Sequence, residues 1–449
     1  MPICPCALPA QVLYALDRLH GAGHEAWIVG GCVRDLLLGR VPTDYDITTS
    51  ALPQQTKEVF RDRRVLETGI RHGTVTLWEE GMPLEITTYR VDGTYSDARH
   101  PDGVTFTASL REDAARRDFT INAMAYAPGL GLRDDFGGQE DLARRLIRAV
   151  GDPDRRFQED ALRVLRAIRF AAVLDFSLEA ETAAAARRQA AGLQKVSAER
   201  VFQELSKLLC GPKAGQVLLA YPDILGQVIP ELLPMVGFDH RNRHHCYDVY
   251  THTAVAVDHV PPQLPLRLAM LLHDIGKPDT FSLGEDGQGH FYGHPRRSVE
   301  LAEGILLRLR APKKLREQVL TLVRYHDAQI EEDPARLRRW LHKLGPEGFF
   351  ALLAIQRGDA AGQAPAYCTR IQQADRLESQ ARALLAQTPC LTLADLAVNG
   401  HDLLQLGYRG PALGRALQRL LEEVLAGRLA NEKSALLQWT RENDAKKEE

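Results

Sequence analysis

Strand-forming patterns crowd the chain up to residue 150 and almost vanish beyond it, and no other feature limits the possible folds as much. In the first part, "HEAWIVGG", "TDYDITTS", "GTVTLWEE" and "LEITTYR" read as short β-strands, the last two as a hairpin joined at Gly81-Met82-Pro83. Residues 8 to 21 and "CVRDLLLGR", closed by Gly39, read as short helices between them. From "FQEDALRVLRAIRFAAVL" onward the period is helical, broken at "CGPKAG", "HVPPQLP", "GEDGQGHFYGHP" and "LGPEG". This order describes an α+β chain, mixed at the start and all-α afterwards. A length of 449 residues implies about three domains at roughly 150 residues each.

The balance of 45% hydrophobic and 26% charged residues is that of a folded soluble protein, with disorder expected only at the terminal "DAKKEE". A formal charge of -3 means that any nucleic acid must be met by local clusters of the 56 Lys and Arg. The seven cysteines are scattered and odd in number, which fits reduced thiols in a cytoplasmic protein, Cys4 and Cys6 of "ICPC" included. Neither a secretory leader nor ~18 uninterrupted apolar residues are found, so no membrane partner is expected.

In "GRVPTDYDITTS" two aspartates stand one residue apart at the start of a strand. Side chains at i and i+2 of a strand point the same way with Cα atoms about 6.5 to 7 Å apart, so Asp44 and Asp46 can converge on one spot. Bare carboxylates so placed repel, and divalent cations remove the repulsion; a two-metal site of this kind activates an attacking hydroxyl and stabilises a leaving pyrophosphate. Gly30 and Gly31 lie between a strand and a helix, where backbone N–H groups can approach phosphates, and Arg34 can add a guanidinium. The bland alternatives are a solvated strand end, a tight turn and a local Arg34–Asp35 ion pair.

The run "GGCVRDLLLGRVPTDYDI" resembles the signature of the class II tRNA nucleotidyltransferases, the CCA-adding enzymes, and of the related bacterial poly(A) polymerases. "ETGIRHGTVTLW", "YSDARHPDGVTF", "RRDFTINAMAY", "DDFGGQEDL" and "EDALRVLRAIRF" follow in that family's order. The resemblance implies a polymerase beta-like nucleotidyltransferase head over 1–150, a helical neck carrying a nucleobase template over 151–215, a helical body over 216–365 and a helical tRNA-binding region over 366–449. It implies Mg2+ on Asp44 and Asp46, and an incoming nucleotide held by Gly30, Gly31 and Arg34. Arg116, Arg117 and Asp118 match the block that contacts triphosphate and ribose. Glu85 is a candidate third carboxylate or an exposed strand residue, and "DDFGGQEDL" reads as a glycine turn leading into a helix.

"EDALRVLRAIRF" sets Asp160, Arg163, Arg166 and Arg169 three residues apart, which on one helix makes neighbours share a face. Without the rest of the site this is a basic amphipathic helix with internal ion pairs. The resemblance implies that Asp160 and Arg163 form an amino-acid template. The chemistry agrees: cytosine and adenine pair an amine donor with a ring-nitrogen acceptor, which suits an acceptor-only Asp beside a donor-only Arg and leaves unpaired groups against U and G. Arg166 and Arg169 turn toward phosphates or toward packing. In the family the switch from C to A depends partly on a flexible loop, and "RVDGTYSDARHPDG" resembles the form found in enzymes that add all three nucleotides.

A second pattern lies in the helical part. "LRLAMLLHDIGKP" ends an apolar helix in His273-Asp274, and "YDVYTHT" places His252 on an earlier helix. These resemble the HD superfamily of metal-dependent phosphohydrolases, which implies a divalent transition metal on His252, His273, Asp274 and Asp359, with His294 and His326 able to add a second ion. The chain departs from that pattern at Pro295, where relatives often carry an acidic residue. Tyr408 and Arg409, between Gly407 and Gly410, either grip tRNA backbone or form a helix-pair turn.

The expected activity is CCA addition to a tRNA 3′ end from CTP and ATP, with no DNA partner. The alternatives are an A-adding, CC-adding or poly(A)-adding enzyme, an HD phosphohydrolase with a relict head, and a noncatalytic RNA-binding protein.

Overall fold

The computed structural model describes residues 8–93, 103–242, 246–363, 369–387 and 390–444. Most of the loop "RVDGTYSDARHPDG", the "ICPC" cysteines and the last five residues of the chain lie outside them. The chain divides into two compact units, Met1–Pro230 and Glu231–Glu449.

The first unit is built on a seven-stranded mixed sheet: β1 Ala26–Val29, β2 Asp46–Thr49, β3 Arg64–Gly69, β4 Thr74–Glu79, β5 Met82–Thr88, β6 Ala125–Ala127 and β7 Gly131–Arg133, in the spatial order β3-β4-β5-β2-β1-β6-β7. β1 is buried at all four positions because both of its faces are covered. On one face Trp27 and Val29 pack with Tyr89, Leu110, Ala125 and Ala127, where each large side chain contributes roughly 1.5–3 kcal/mol.

The register decides where the polar residues go. β1 pairs antiparallel with β2, Val29 opposite Asp46, and with β6, Val29 opposite Ala125. β5 runs parallel to β2 with Glu85 opposite Asp46. The Gly30-Gly31 turn, the carboxylates and the "RRDFTINA" segment, which leads into β6, therefore meet at one end of the sheet.

The hairpin is one step out of the expected register. Its turn is Glu80-Gly81, both at positive φ (43° and 85°), while Met82 and Pro83 already belong to β5 and face Glu79 and Trp78. This positive-φ pair suits the twist of a two-residue hairpin. Pro83 is tolerated because it lies beyond the Glu85–Thr88 stretch that pairs with β2.

Helices follow the sheet. The run "FQEDALRVLRAIRF" is two helices rather than one, Pro153–Glu159 and Leu162–Leu174, with Asp160 extended between them (φ -141°, ψ 104°). The reason is local: the Asp160 carboxylate accepts a hydrogen bond from Leu162 N at 3.1 Å, an alternative to continuing the helix. Helix Ala198–Leu209 buries Val201, Phe202, Leu205, Leu208 and Leu209 and packs against Leu162–Leu174.

Among its described residues the second unit is helical apart from a two-residue-per-strand hairpin at "GEDGQGHFYGHP", Ser282–Leu283 with Gly289–His290, and an isolated bridge between Asp239 and Asp248. Its main helices are Val249–His259, Leu264–Leu272, His294–Arg308, Lys313–Tyr325, Pro334–Ala361, Thr369–Ala386, Gly410–Leu425 and Lys433–Asp444. The "LGPEG" break is a kink at Gly345 (φ 69°, ψ 164°) within Pro334–Ala361. No helix of the described residues is long and apolar enough to cross a membrane.

Candidate active site

At the sheet end of the first unit, Gly30 stands at φ 81°, ψ -136°, a region open only to glycine. A Cβ there would sit 3.1 Å from Arg117 Nη1 and 3.8 Å from Asp46 Oδ2. The missing side chain is what lets a cationic and an anionic group approach the same backbone. Asp46 is the first residue of β2, and Asp44 lies just before that strand; both are exposed, as is Glu85. Although the residue keeps exposed surface, desolvation of its carboxyl by the surrounding protein pushes Asp46 up to about 6, opposed by Arg117 and reinforced by Asp44 and Glu85. Repelling carboxylates with one neighbouring guanidinium form a donor set that fits a hard divalent cation. Behind Asp46 the Cys32 thiol donates to Val29 O (3.2 Å), and burial pushes it up to about 12, so it is inert.

Arg34 is buried and fixed. Its Nε donates to Asp35 Oδ1 (2.9 Å), its Nη1 to Asn122 Oδ1 (2.8 Å), and its guanidinium lies 5.2 Å from the Phe170 ring centroid. Asn122 in turn donates to Asp118 Oδ1 (3.1 Å), and Asp118 Oδ2 accepts from Arg166 Nε (2.9 Å) and Arg166 Nη2. Burial opposes the charge on Asp118, yet Arg166 and the hydrogen bonds hold its carboxyl well below the usual range. The Arg34–Asp35 ion pair of the bland reading exists, but as one edge of this larger network. Arg166 and Arg169 turn to packing: Arg166 to Asp118, and Arg169 to Glu204, 2.5 Å away as an ion pair without an aligned hydrogen bond.

Asp160 and Arg163 are held by separate partners. Arg200 Nη2 donates to Asp160 Oδ2 (2.8 Å), whereas Arg163 donates to Glu159 Oε2 (2.9 Å), Arg156 O (3.1 Å) and Arg116 O (2.9 Å). The glycine turn of "DDFGGQEDL" is as expected. Asp134 accepts from the backbone N–H of Phe136, Gly138 and Gln139, and the helix Gly138–Ala143 brings Asp141 to Thr120 Oγ1 (2.7 Å).

In the second unit the ends of five helices converge. His252 comes from Val249–His259, His273 caps Leu264–Leu272 and Asp274 follows it. His294 opens its helix, with Pro295 in the first turn, where a missing N–H costs nothing. His326 caps Lys313–Tyr325, and Asp359 lies near the end of Pro334–Ala361. All six are buried. Facing ligand atoms lie within 4.8 Å of one another in two groups that share Asp274: His252, His273, Asp274 and Asp359, and Asp274, His294 and His326.

Each imidazole is oriented by its far nitrogen. The Nδ1 atoms of His252, His273, His294 and His326 contact the carbonyls of Gly362, Met270, Phe291 and Val323 at 2.9, 2.7, 2.9 and 2.7 Å. With Nδ1–H donated to a carbonyl, each Nε2 lone pair faces the centre, the arrangement of a metal-ligating imidazole. Both Asp274 oxygens are buried without an aligned hydrogen-bond donor, although Lys277 Nζ lies 2.7 Å from Oδ2. Burial opposes charge on His273, yet Asp274 and Asp359 push it up to about 10, while burial and His273 push His326 down to about 3. An adjoining cavity of about 530 Å³ is lined by Lys277, His290, Tyr292, Gln363 and Arg370 as well as by ligands of both groups.

In the tail, Arg409 donates to the carbonyls of Leu404 (2.8 Å) and Tyr408 (3.0 Å), so its guanidinium serves the helix-pair turn between Gly407 and Gly410. No sequence motif assigned a role to Asp113, Arg200, Glu204 or Lys277, which contact Arg116, Asp160, Arg169 and Asp274 respectively; a charged residue at an otherwise apolar helical position, as at Glu204, was the available signal.

The class follows from the head: residues 26–148 match the model described as "Poly A polymerase head domain", over the sheet and motifs just described. Residues 175–235 match "Probable RNA and SrmB- binding site of polymerase A", and residues 298–440 match "tRNA nucleotidyltransferase domain 2 putative". The chain is 36% identical to the CCA-adding enzyme of Levilactobacillus brevis over 94% of its own length and 95% of that protein, and 34% identical to that of Leuconostoc mesenteroides over 97% of each. The crystal structure of the Bacillus stearothermophilus CCA-adding enzyme in complex with CTP superposes with a TM-score of 0.75, 29% identity and 98% coverage of both chains. This chain belongs to the CCA-adding enzyme family.

Proposed function

We propose that this protein adds C, C and A in turn to the 3′ end of tRNA, using CTP and ATP and releasing pyrophosphate. The observation that carries the reading is the meeting of Gly30, Asp46, Glu85 and Arg117 at one sheet end, in a chain whose family likeness runs nearly its whole length. Magnesium at Asp44 and Asp46 would supply activation of the tRNA hydroxyl and neutralisation of the leaving pyrophosphate. Arg116 and Arg117 bind the triphosphate, with Gly30 and Gly31 giving it room. Arg34 and Asp118 shape the pocket floor. Asp160 accepts from the amine of C or A while Arg163 donates to the ring nitrogen. Arg166 and Arg169 hold that wall in place rather than touching the nucleotide. The head then spans 1–150, the template-bearing neck 151–215, and the body and tRNA-binding tail 216–365 and 366–449.

A tRNA transcript ending at the discriminator base, incubated with magnesium and CTP, ATP or both, tests this by sequencing the products. Stepwise C, C, A is expected. A confined to transcripts already ending in CC would replace the reading with A-addition.

A second reading rests on six buried ligands whose facing atoms lie within 4.8 Å of one another in two groups that share Asp274. His252, His273, Asp274 and Asp359 hold one divalent transition metal, and Asp274, His294 and His326 a second. Ions there would supply an activated water for phosphate-ester hydrolysis, with Lys277 and Arg370 offering positive charge to the phosphate. Metal analysis of the purified protein and an assay with bis(p-nitrophenyl) phosphate test it.

A further inference from the structure

Asp113 belongs to none of the motifs singled out in the sequence, yet it has no exposed surface, and its carboxylate reaches Arg116, Arg117 and Thr48 beside the head site. It lies in the short helix Leu110–Ala115, one turn before the "RRD" block. Its Oδ1 accepts from Arg116 Nε (3.0 Å), Arg116 Nη2 (2.8 Å) and the backbone N–H of Arg90 (3.3 Å). Its Oδ2 accepts from Thr48 Oγ1 (3.2 Å) and lies 3.6 Å from Arg117 Nη2. Burial alone would raise this carboxyl, but Arg116 and then Arg117 hold it below the usual range.

The Thr48 contact gives the cluster its direction. Thr48 and Asp46 are two residues apart on β2, so their side chains leave the same face of the strand. The single Thr48 hydroxyl proton is shared between Asp113 Oδ2 and Thr87 O, 3.2 Å from each, the latter on β5 two residues along from Glu85, the residue opposite Asp46. One carboxylate thus ties both arginines to the strand that carries the metal-binding aspartate. Arg116 and Arg117 are adjacent cations with 18% of each side chain exposed. Without a buried anion behind them they would repel one another and lose their fixed orientation.

We propose that Asp113 is a positioning residue for triphosphate binding: it aims Arg116 and Arg117 at the phosphates and fixes their distance from Asp46. The inference rests on the reading of those arginines as phosphate-binding groups. Asp113 does not touch the nucleotide, and it acts on CTP and ATP alike because it stands behind the phosphates and not the base.

Inorganic tripolyphosphate, which carries neither base nor sugar, isolates this role as a competitive inhibitor of CTP incorporation. In Asp113→Asn, nearly the same shape without the charge, its inhibition constant and KM for both CTP and ATP are expected to rise together by about five- to tenfold, with kcat within about twofold. The preference for C and A over U and G stays unchanged, an outcome that a general loosening of the site would not give. Thr48→Val, which removes the tether and keeps the charge, shifts the same constants in the same direction by a smaller factor. This second variant decides the matter if Asp113→Asn does not fold. Arg117→Gln separates the inference from its foundation. If Arg117→Gln leaves tripolyphosphate inhibition unchanged, the phosphate-binding reading falls and the inference with it. If Arg117→Gln weakens inhibition while a folded Asp113→Asn, or in its place Thr48→Val, inhibits like the wild type, the inference alone is overturned.

Discussion

In the strand-built site, Asp44, Asp46 and Glu85 stay exposed at a sheet end, with the Arg117 guanidinium beside Asp46. In the helix-built site, Asp274 and Asp359 are buried among four imidazoles whose ring orientations are already set by carbonyls. A transferase must admit a nucleotide with its metal and release pyrophosphate at every step, so open carboxylates suit it. Buried ligands gathered within 4.8 Å of one another suit ions that stay. Burying those carboxylates is costly unless a cation balances them, and without one the balance falls to Lys277 and a proton on His273. Preorganisation of this kind would divide the two proposed metal sites by how long an ion stays.

Asp46→Ala tests the open half of this comparison and carries the largest expected effect. Nucleotide addition should fall by on the order of 10³-fold or more. Metal content of the second unit and the melting profile should not change. Loss of both together would mean that the two sites are not independent.

Asp274→Ala tests the closed half. As the residue shared by both ligand groups, its removal should lower transition-metal affinity by more than about 10²-fold, read as metal per protein after dialysis. Incorporation of C and A should remain within about twofold of wild type, because this site takes no part in the transfer. A parallel collapse of addition would break the division.

Much of the head was legible because its motifs are local. A short buried run placed β1, β-branched alternation placed β4 and β5, and the double glycine marked the strand-to-helix turn, whereas β2 begins only at Asp46 and leaves Asp44 outside the strand. What stayed hidden was set by partners distant in the chain. Asp160 lies 40 residues from Arg200, and no periodicity announces that pairing. The same holds for Arg166 and Arg169, whose partners Asp118 and Glu204 decide that they pack. The break at Asp160 escaped notice because helical propensity continues through it while a single side-chain hydrogen bond interrupts it. In the second unit the His-Asp doublet was legible, but the convergence of five helix ends, and with it the role of Asp274 as the shared ligand, depends on packing that no local pattern encodes.

The template pair offers a finer test of how fixed the open site is. Asp160→Ala should relax rejection of UTP and GTP by on the order of 10²-fold relative to CTP, since discrimination rests on leaving buried polar groups unpaired against the wrong base. Misincorporation by Arg200→Gln, which frees the Asp160 carboxylate from its guanidinium (2.8 Å), should fall between the two. A template that kept its fidelity without Asp160 would mean that the site is shaped by main chain alone.

The smallest effect concerns how each unit balances its buried charge. In the head the balance is permanent: Asp118 is paired with Arg166, and its carboxyl is held well below the usual range despite burial. A folded-state value below the unfolded one means that the unfolded chain binds more protons as acid is added. The pair's contribution is therefore complete above the ordinary carboxylate range near pH 4 and is lost progressively below it. Urea unfolding of wild type and Asp118→Asn across pH 3 to 7 should show the variant less stable at neutral pH and its midpoint less sensitive to acid. In the second unit a metal at the proposed Asp274 centre would supply the corresponding balance, so a chelator should lower that unit's stability at neutral pH while leaving the head's transition in place. Acid acting on one unit and chelation on the other would extend the contrast between the two sites from binding to stability. A head whose acid sensitivity survives Asp118→Asn would place the titrating charge elsewhere.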